Sequence, residues 1–415
     1  MSIFVWASLA FCIVAALISI VLSKSIINPM IPISFVWFIV ILNSITLTNL
    51  IPASGRIYGI ILTGLLSFSI GVVITSKNKF LVYSGICRRV SIRTNIVYLF
   101  LIISILFYIR NIVMLRGSGI SGYEETINGL QNGYNLGYSG IEQVLMYYLV
   151  EPSQLAIPAV VVTEYLFGEK NNKMLGLTIV MVLLASVSTG SKNSILMIFI
   201  FIIVGILLRN KNFNFSWKSF FLVTLLVIVA VIAMIILSNA RGQLSNHLVQ
   251  YEMGISPRMF EIWTGEISSN KIYGYGEASL MGFLYPLYHL FSFIYNALGF
   301  NHLREIYMLI QSTDSQWVNP SPIIKANAYV SWFSFFYLDF RMFGIIFFSF
   351  LSGLISNVIF NLAKTLRSKF YISLYMVVFF QLLLTNIRFE IANEAGALSF
   401  LYLFILWKWG EEHAE

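Results

Sequence analysis

The stretch IFVWASLAFCIVAALISIVLS, residues 3–23, decides the fold class, because it runs for 21 positions without a charge. A helix of that length covers about 30 Å, the hydrocarbon thickness of a bilayer. It starts directly behind the first methionine and lacks a basic lead, so it reads as an anchor that is kept rather than a cleaved signal peptide. Comparable runs follow near 29–49, 57–75, 95–114, 143–166, 174–189, 194–208 and 219–238, then after a long interval near 342–361, 370–387 and 392–407. The expectation is an all-α, polytopic integral membrane protein with about eleven transmembrane helices, ten to thirteen being compatible with the pattern.

Composition agrees. Of 415 residues, 58% are hydrophobic and only 11% charged, against roughly a quarter charged in a soluble domain. Two cysteines, Cys12 and Cys87, exclude a disulfide scaffold and speak against a zinc or iron–sulfur cluster. The net charge of +8 reflects basic residues held on one side of the bilayer rather than affinity for nucleic acid.

Basic residues also orient the chain. Lys77, Lys79, Arg88, Arg89 and Arg93 share one connection, and Arg209, Lys211 and Lys218 another, which makes both cytoplasmic. Counting crossings outward from them places Lys24, Lys170, Lys173, Lys364, Arg367 and Lys369 on the same side. The connection 115–142, the hairpin at Thr189–Lys192 and the interval 239–341 fall outside, with the N-terminus outside and the C-terminus inside. The chain thus divides into residues 1–238 with about eight spans, a large extracytoplasmic loop 239–341 with interfacial helices, and residues 342–415 with about three spans. An alternative stays open, in which 278–299 crosses despite Pro286 and His289, and 324–339 crosses back.

The loop is where polar chemistry gathers. It holds His247, His289 and His302, seven acidic residues, and rings that suit the apolar faces of sugars, among them Trp263, Tyr275, Tyr288 and Trp317. Walker, dinucleotide, G-x-S-x-G and H-E-x-x-H motifs are missing. Chemistry without a nucleotide site or a metal, and without a cofactor, needs a substrate that is already activated. In a membrane that points to a lipid-linked one, whose pyrophosphate would be held by cations at the outer surface. Three segments supply such cations: Ser186–Ser194 with Lys192, Asn239-Ala240-Arg241-Gly242, and Tyr337–Gly344 with Asp339 and Arg341. Each also has a plain reading as a turn, a helix end or a helix cap. A neutral imidazole can take a proton from an attacking hydroxyl, so His302 and His247 are candidate bases, with Glu252, Glu261, Glu266 and Glu277 as rivals.

On the Thr189-Gly190-Ser191-Lys192 turn, the Asn239-Ala240-Arg241-Gly242 start of the big loop and the Tyr337–Gly344 segment, the chain resembles the bacterial O-antigen polymerase family (Wzy) and the wider oligosaccharide repeat-unit polymerases. It departs from their pattern in having Lys192 where arginine is commoner and Arg341 where glycine is commoner. The resemblance implies a GT-C-like glycosyltransferase in the bacterial inner membrane, active at its periplasmic face. Its donor and acceptor would both be oligosaccharide repeat units on undecaprenyl pyrophosphate, and its partners a chain-length regulator and a flippase. On that basis pyrophosphate binding falls to Arg241, supported by Lys192, Arg258 and Arg304. The catalytic set is His302, His247 and Arg241, and Trp263, Tyr275, Tyr288, Trp317, Asp339 and Arg341 hold the glycan. The rival readings are a flippase for the same lipid-linked oligosaccharide, an O-antigen ligase and a membrane acyltransferase. A transporter would place ionisable groups at midplane, and here the mid-helix positions are almost uncharged.

Overall fold

A computed structural model describes residues 2–47, 50–77, 90–117, 138–189, 193–209, 252–297, 301–322 and 324–410. The expected span at 219–238, most of the 115–142 connection, and Lys192, Arg241 and His247 lie outside the described residues.

The chain is predominantly helical. Among the described residues six helices are long and apolar enough to cross a membrane: α1 (Ile3–Ser23), α3 (Gly55–Lys77), α4 (Thr94–Gly117), α5 (Gly140–Phe167), α6 (Asn172–Thr189) and α12 (Trp332–Leu366). Shorter apolar helices are α2 (Met30–Thr46), α7 (Asn193–Arg209), α13 (Lys369–Leu383) and α14 (Glu394–Leu406). The interval after residue 251 holds α8 (Ser256–Ser269), α9 (Glu277–Leu290), α10 (Ser292–Ala297) and α11 (His302–Ser315). Two small antiparallel ribbons complete the described elements, β1 (Val90–Ile92) with β4 (Trp407–Trp409) and β2 (Val318–Ser321) with β3 (Ile324–Ala326). This pattern is compatible with a membrane-embedded, mainly helical protein.

Local chemistry sets the helix ends. Ser2 caps α1 by accepting the Phe4 N–H, and Ser139 and Glu142 form a reciprocal capping box at the start of α5. Residues 278–297 break at Phe291 into α9 and α10. The 14 residues of α9 reach only about 21 Å, short of the roughly 30 Å core. Residues 324–326 are a strand, not the start of a span.

The chain packs into two units, each discontinuous in sequence. The first comprises residues 1–83, 245–361 and 381–397. Its interior is aromatic: Trp37 meets Phe333 with ring centres 5.1 Å apart, and Phe68 meets Trp332 at 5.7 Å. Helices α3 and α12 approach to backbone contact, because a Cβ on Gly353 would overlap the carbonyl of Phe68 and one on Gly71 that of Phe350. At one end the buried Asn357 side chain lies within hydrogen-bonding distance of Val72 O, Thr75 Oγ1, Ser76 Oγ and the Asn28 amide. At the other end Ser54 N donates to Glu261, Ser256 Oγ to Asn386 O, and Trp332 N to Thr385 O.

The second unit comprises residues 84–244, 362–380 and 398–415. One of its ends joins β1 to β4 and pairs Lys369 with the nearly buried carboxylate of Glu164 at 3.0 Å. The other joins Tyr138 to Asn111 at 2.6 Å and Arg110 to Glu142 at 3.0 Å. The polar contacts named for each unit join helix ends and connections that alternate crossings would bring to the same side of a bilayer.

Candidate functional site

The site is built on α11, an amphipathic helix of the first unit. Leu303, Ile306, Ile310 and Thr313, spaced at three and four residues, face inward and are buried. The two flanks of that buried face carry His302 on one side and Tyr307 and Asp314 on the other, each engaged by another segment of the same unit. His302 Nδ1 lies 2.8 Å from Glu277 Oε2 at the start of α9. Tyr307 stacks on Tyr285 with parallel rings 3.4 Å apart and hydrogen-bonds Glu394. Asp314 accepts from Arg388 at 2.9 Å, and Arg388 also approaches Glu390 at 3.9 Å. From His302 to Asp314 the helix rises about 18 Å.

The His302 end has the geometry of a proton acceptor. A carboxylate can only accept a hydrogen bond, so Glu277 selects the tautomer with hydrogen on Nδ1 and leaves the Nε2 lone pair for another group. The His302 side chain is 43% exposed, enough to be reached from outside. Beside it is a shelf of rings: Tyr275 lies 5.8 Å from His302 and stacks on Tyr273 at 5.9 Å, and the Arg341 guanidinium lies over the Tyr273 ring at 4.2 Å. Tyr275 is 67% exposed.

The shelf owes its shape to Asp339. Its buried carboxylate accepts the N–H groups of Ala278 and Ser279, both at 2.9 Å, and the Ser279 hydroxyl at 2.5 Å, so it caps α9 from 60 residues away. In the Tyr273-Gly274-Tyr275-Gly276-Glu277 loop, a Cβ on Gly274 would collide with that carboxylate, and Gly276 has φ +96°. Two glycines therefore let the loop fold onto Asp339 and turn Tyr275 outward.

Arg341 sits where α12 breaks, between Phe340 (φ −141°, ψ 26°) and the continuing helix, with φ 56° and ψ −134°. Such a conformation costs a non-glycine residue on the order of 1–3 kcal/mol. It is held by its own side chain, which donates to the carbonyls of Tyr337, Ile267 and Ile272 at 3.4, 3.2 and 2.6 Å. The positive φ gives a physical reason for glycine to be the commoner residue at such a position.

Two further groups complete this end of the unit. The Arg258 guanidinium pairs with Glu261, which also accepts from Ser54 N at 3.0 Å. Burial raises the Glu261 carboxyl, but the hydrogen bonds from Ser54 and Arg258 together outweigh it and hold it below the usual carboxylate range. The exposed Arg56 reaches Tyr337 OH at 3.4 Å, and Ser268 Oγ lies 3.2 Å from the same hydroxyl. Glu390 is pushed the other way, raised by burial and by the neighbouring Asp314 against the opposing charge of Arg388.

The structure thus gathers Tyr275, His302 and Arg341 along one chain of contacts, and adds Glu277, Tyr273, Arg56 and Arg388, which the sequence reading had not put in a site, Glu277 apart as a rival base. Arg304 is exposed on α11 near Tyr285, and Trp317 is exposed beside β2. Four of the expected glycan-binding residues stand in other contacts. Trp263, 1% exposed, lines an apolar cavity with Ile267, Ile310 and Phe335. Tyr288, 6% exposed, is likewise turned inward, and the carboxylate of Asp339 is consumed as a cap. Arg341 spends its hydrogen bonds on backbone carbonyls and offers a glycan at most its edge. A signal for the missed cluster existed: Arg388, Glu390 and Glu394 are the only charged residues in the stretch 370–407. Charges that interrupt an apolar run are costly and mark function or a connection between helices.

No family model matches the chain, and neither a curated protein nor a solved structure with significant similarity was found. No group of His, Cys, Asp and Glu among the described residues is arranged to hold a metal ion.

Proposed function

We propose that the protein is a polysaccharide polymerase that joins lipid-linked oligosaccharide repeat units at the periplasmic face of the bacterial inner membrane, in the manner of the O-antigen polymerases it resembles in sequence pattern. The observation that carries this reading is the His302–Glu277 pair set beside the exposed Tyr273–Tyr275 shelf, directly before the uninterrupted part of a helix long enough to span. A sugar hydroxyl of the acceptor, lying on the rings, gives its proton to His302 Nε2 while its oxygen attacks the anomeric carbon of the donor glycan. The bond from that carbon to pyrophosphate breaks, and undecaprenyl pyrophosphate leaves with the electron pair. Glu277 steadies the imidazolium that forms, so it is a positioning residue.

Cations near the outer surface would hold the pyrophosphate. Arg304 and Arg56 are exposed and suited to this, Arg258 is tied to Glu261, and Arg241 and Lys192 belong to the proposal from sequence alone. Tyr275 and Trp317 are the exposed rings for sugar contact. A chain-length regulator and a flippase are the partners such an enzyme implies.

The test uses purified protein in nanodiscs with a homogeneous undecaprenyl-pyrophosphate repeat unit, no nucleotide, and products resolved by mass. The expected result is a ladder spaced by one repeat unit. Unchanged substrate in folded protein that binds it would overturn the proposal and make translocation of the same lipid the next assay.

A further inference from the structure

Helices α9 and α10 carry an apolar face that the rest of the first unit leaves open. Between Ala278 and Leu303 the sequence has no Asp, Glu, Lys or Arg. One side of α9 is packed: Ala278, Met281, Gly282 and Tyr288 are buried. The other side, continued by α10, exposes Leu280, Leu287, Leu290, Phe291, Phe293 and Ile294, with Leu290 at 68% and Phe293 at 73%. A patch of large apolar side chains open to water is costly at about 25 cal/mol per Å² and calls for an occupant.

Position identifies that occupant. The first turn of α9 is tied to Asp339, immediately before the break at which α12 resumes as an apolar helix. One turn later Gly282 lies against the carbonyls of Ile391 and Asn393, where α14 begins. Thus α9 is pinned across the mouths of two apolar helices, at one level. From the same point a row of rings runs through Tyr275, Phe340, Phe343 and Phe347, the last two exposed on the outer side of α12. The open face of α9 and α10 therefore starts at the level where the side of α12 suited to lipid starts, and α9 is too short to cross.

We propose that α9 and α10 lie in the plane of the membrane–water interface, with Leu287, Leu290 and Phe293 seated among lipid acyl chains roughly 5–10 Å below the headgroups. The occupant is lipid, and the helix pair acts as a sill that sets the His302–Glu277 pair at the depth of a phospholipid or lipid-pyrophosphate headgroup. The inference rests on the chain being membrane-embedded and not on its being a polymerase.

Single cysteines replace Leu290 or Phe293, with Lys271→Cys as an exposed control, in a background lacking Cys12 and Cys87, and each carries a polarity-sensitive fluorophore. The protein is studied in nanodiscs whose lipids are brominated near the carbonyl end or near the terminal methyl of the acyl chain. The expected result is blue-shifted emission at both test positions and about a twofold loss of intensity with bromine near the carbonyl, less with bromine near the methyl, and neither at Lys271→Cys. Water-like, unquenched emission would overturn the proposal. So would stronger quenching from the terminal methyl, which means a crossing, or unquenched emission with energy transfer between labelled molecules, which means that a second copy covers the face. None of these outcomes bears on glycan transfer, so failure here and failure of the ladder assay are distinguishable.

Discussion

The two ends of the first unit are held together by different chemistry. At one end a single buried amide, Asn357, gathers Asn28, Val72, Thr75 and Ser76 through neutral hydrogen bonds. At the other, two ion pairs and an imidazole–carboxylate hydrogen bond do the joining: Arg258 with Glu261, Arg388 with Asp314, and His302 with Glu277. A neutral knot whose donors and acceptors are matched is complete and has nothing left to offer. Groups that are 22–43% exposed can be reached from outside, and the ionised ones carry a field that reaches outward. The contrast separates an end built to hold from an end equipped to react.

Four measurements would break or sharpen that contrast. The largest effect is expected from His302→Ala, which should lower glycan transfer by about 10²- to 10⁴-fold, the usual worth of a positioned base, with the melting temperature in nanodiscs unchanged. Equal loss of transfer and of folded protein would return His302 to a structural role. Asp339→Ala comes next. It strips the acceptor from two backbone N–H groups and a hydroxyl and should cost roughly 2–5 kcal/mol by thermal unfolding, with a mobile Tyr275 seen as faster hydrogen exchange over residues 273–279.

Asn357→Ala should cost about 1–3 kcal/mol by the same unfolding assay, while transfer per folded molecule stays at the wild-type value. Lost activity in that variant would erase the distinction between the ends. The smallest effect concerns acid. Because the Glu261 carboxyl is held below its ordinary value in the folded chain, its contribution to stability is present above the ordinary carboxylate range and disappears as pH falls through the folded value. Wild type should therefore lose slightly more stability than Glu261→Gln between about pH 5 and pH 3 in a melting series.

Much of the architecture was legible because one force dominates it. Long uncharged runs must be helical in a bilayer, and the helix starts at Ile3, Met30, Thr94, Asn172, Asn193 and Lys369 fall within a few residues of where the apolar runs begin. What could not be read was how distant segments meet. Asp339 looked like a cap for the helix it precedes, yet it caps one that begins 62 residues earlier, and only the folded loop brings the two together. Trp263 belonged by type to a sugar-binding surface, but ring chemistry suits a core equally well, and burial is set by neighbours that the local sequence does not name. The Arg388 cluster leaves only an ambiguous mark in the sequence, because a charge at a helix junction has an ordinary explanation. The interleaving of the two units was invisible for the same reason, since composition along the chain carries no record of which helices pair.

That interleaving bears on how the protein is made. Helices α1–α3 leave the ribosome early, while Asn357 lies 282 residues beyond the Thr75 hydroxyl it binds. At a synthesis rate of roughly 5–20 residues per second, the notch at Gly71 stays open for tens of seconds before the Gly353 side of α12 exists to fill it. The early helices must wait as an unfinished bundle while the helices of the second unit are being made. The first unit is therefore closed by late arrivals, and a chain cut short before α12 would leave it without the helix that completes its core.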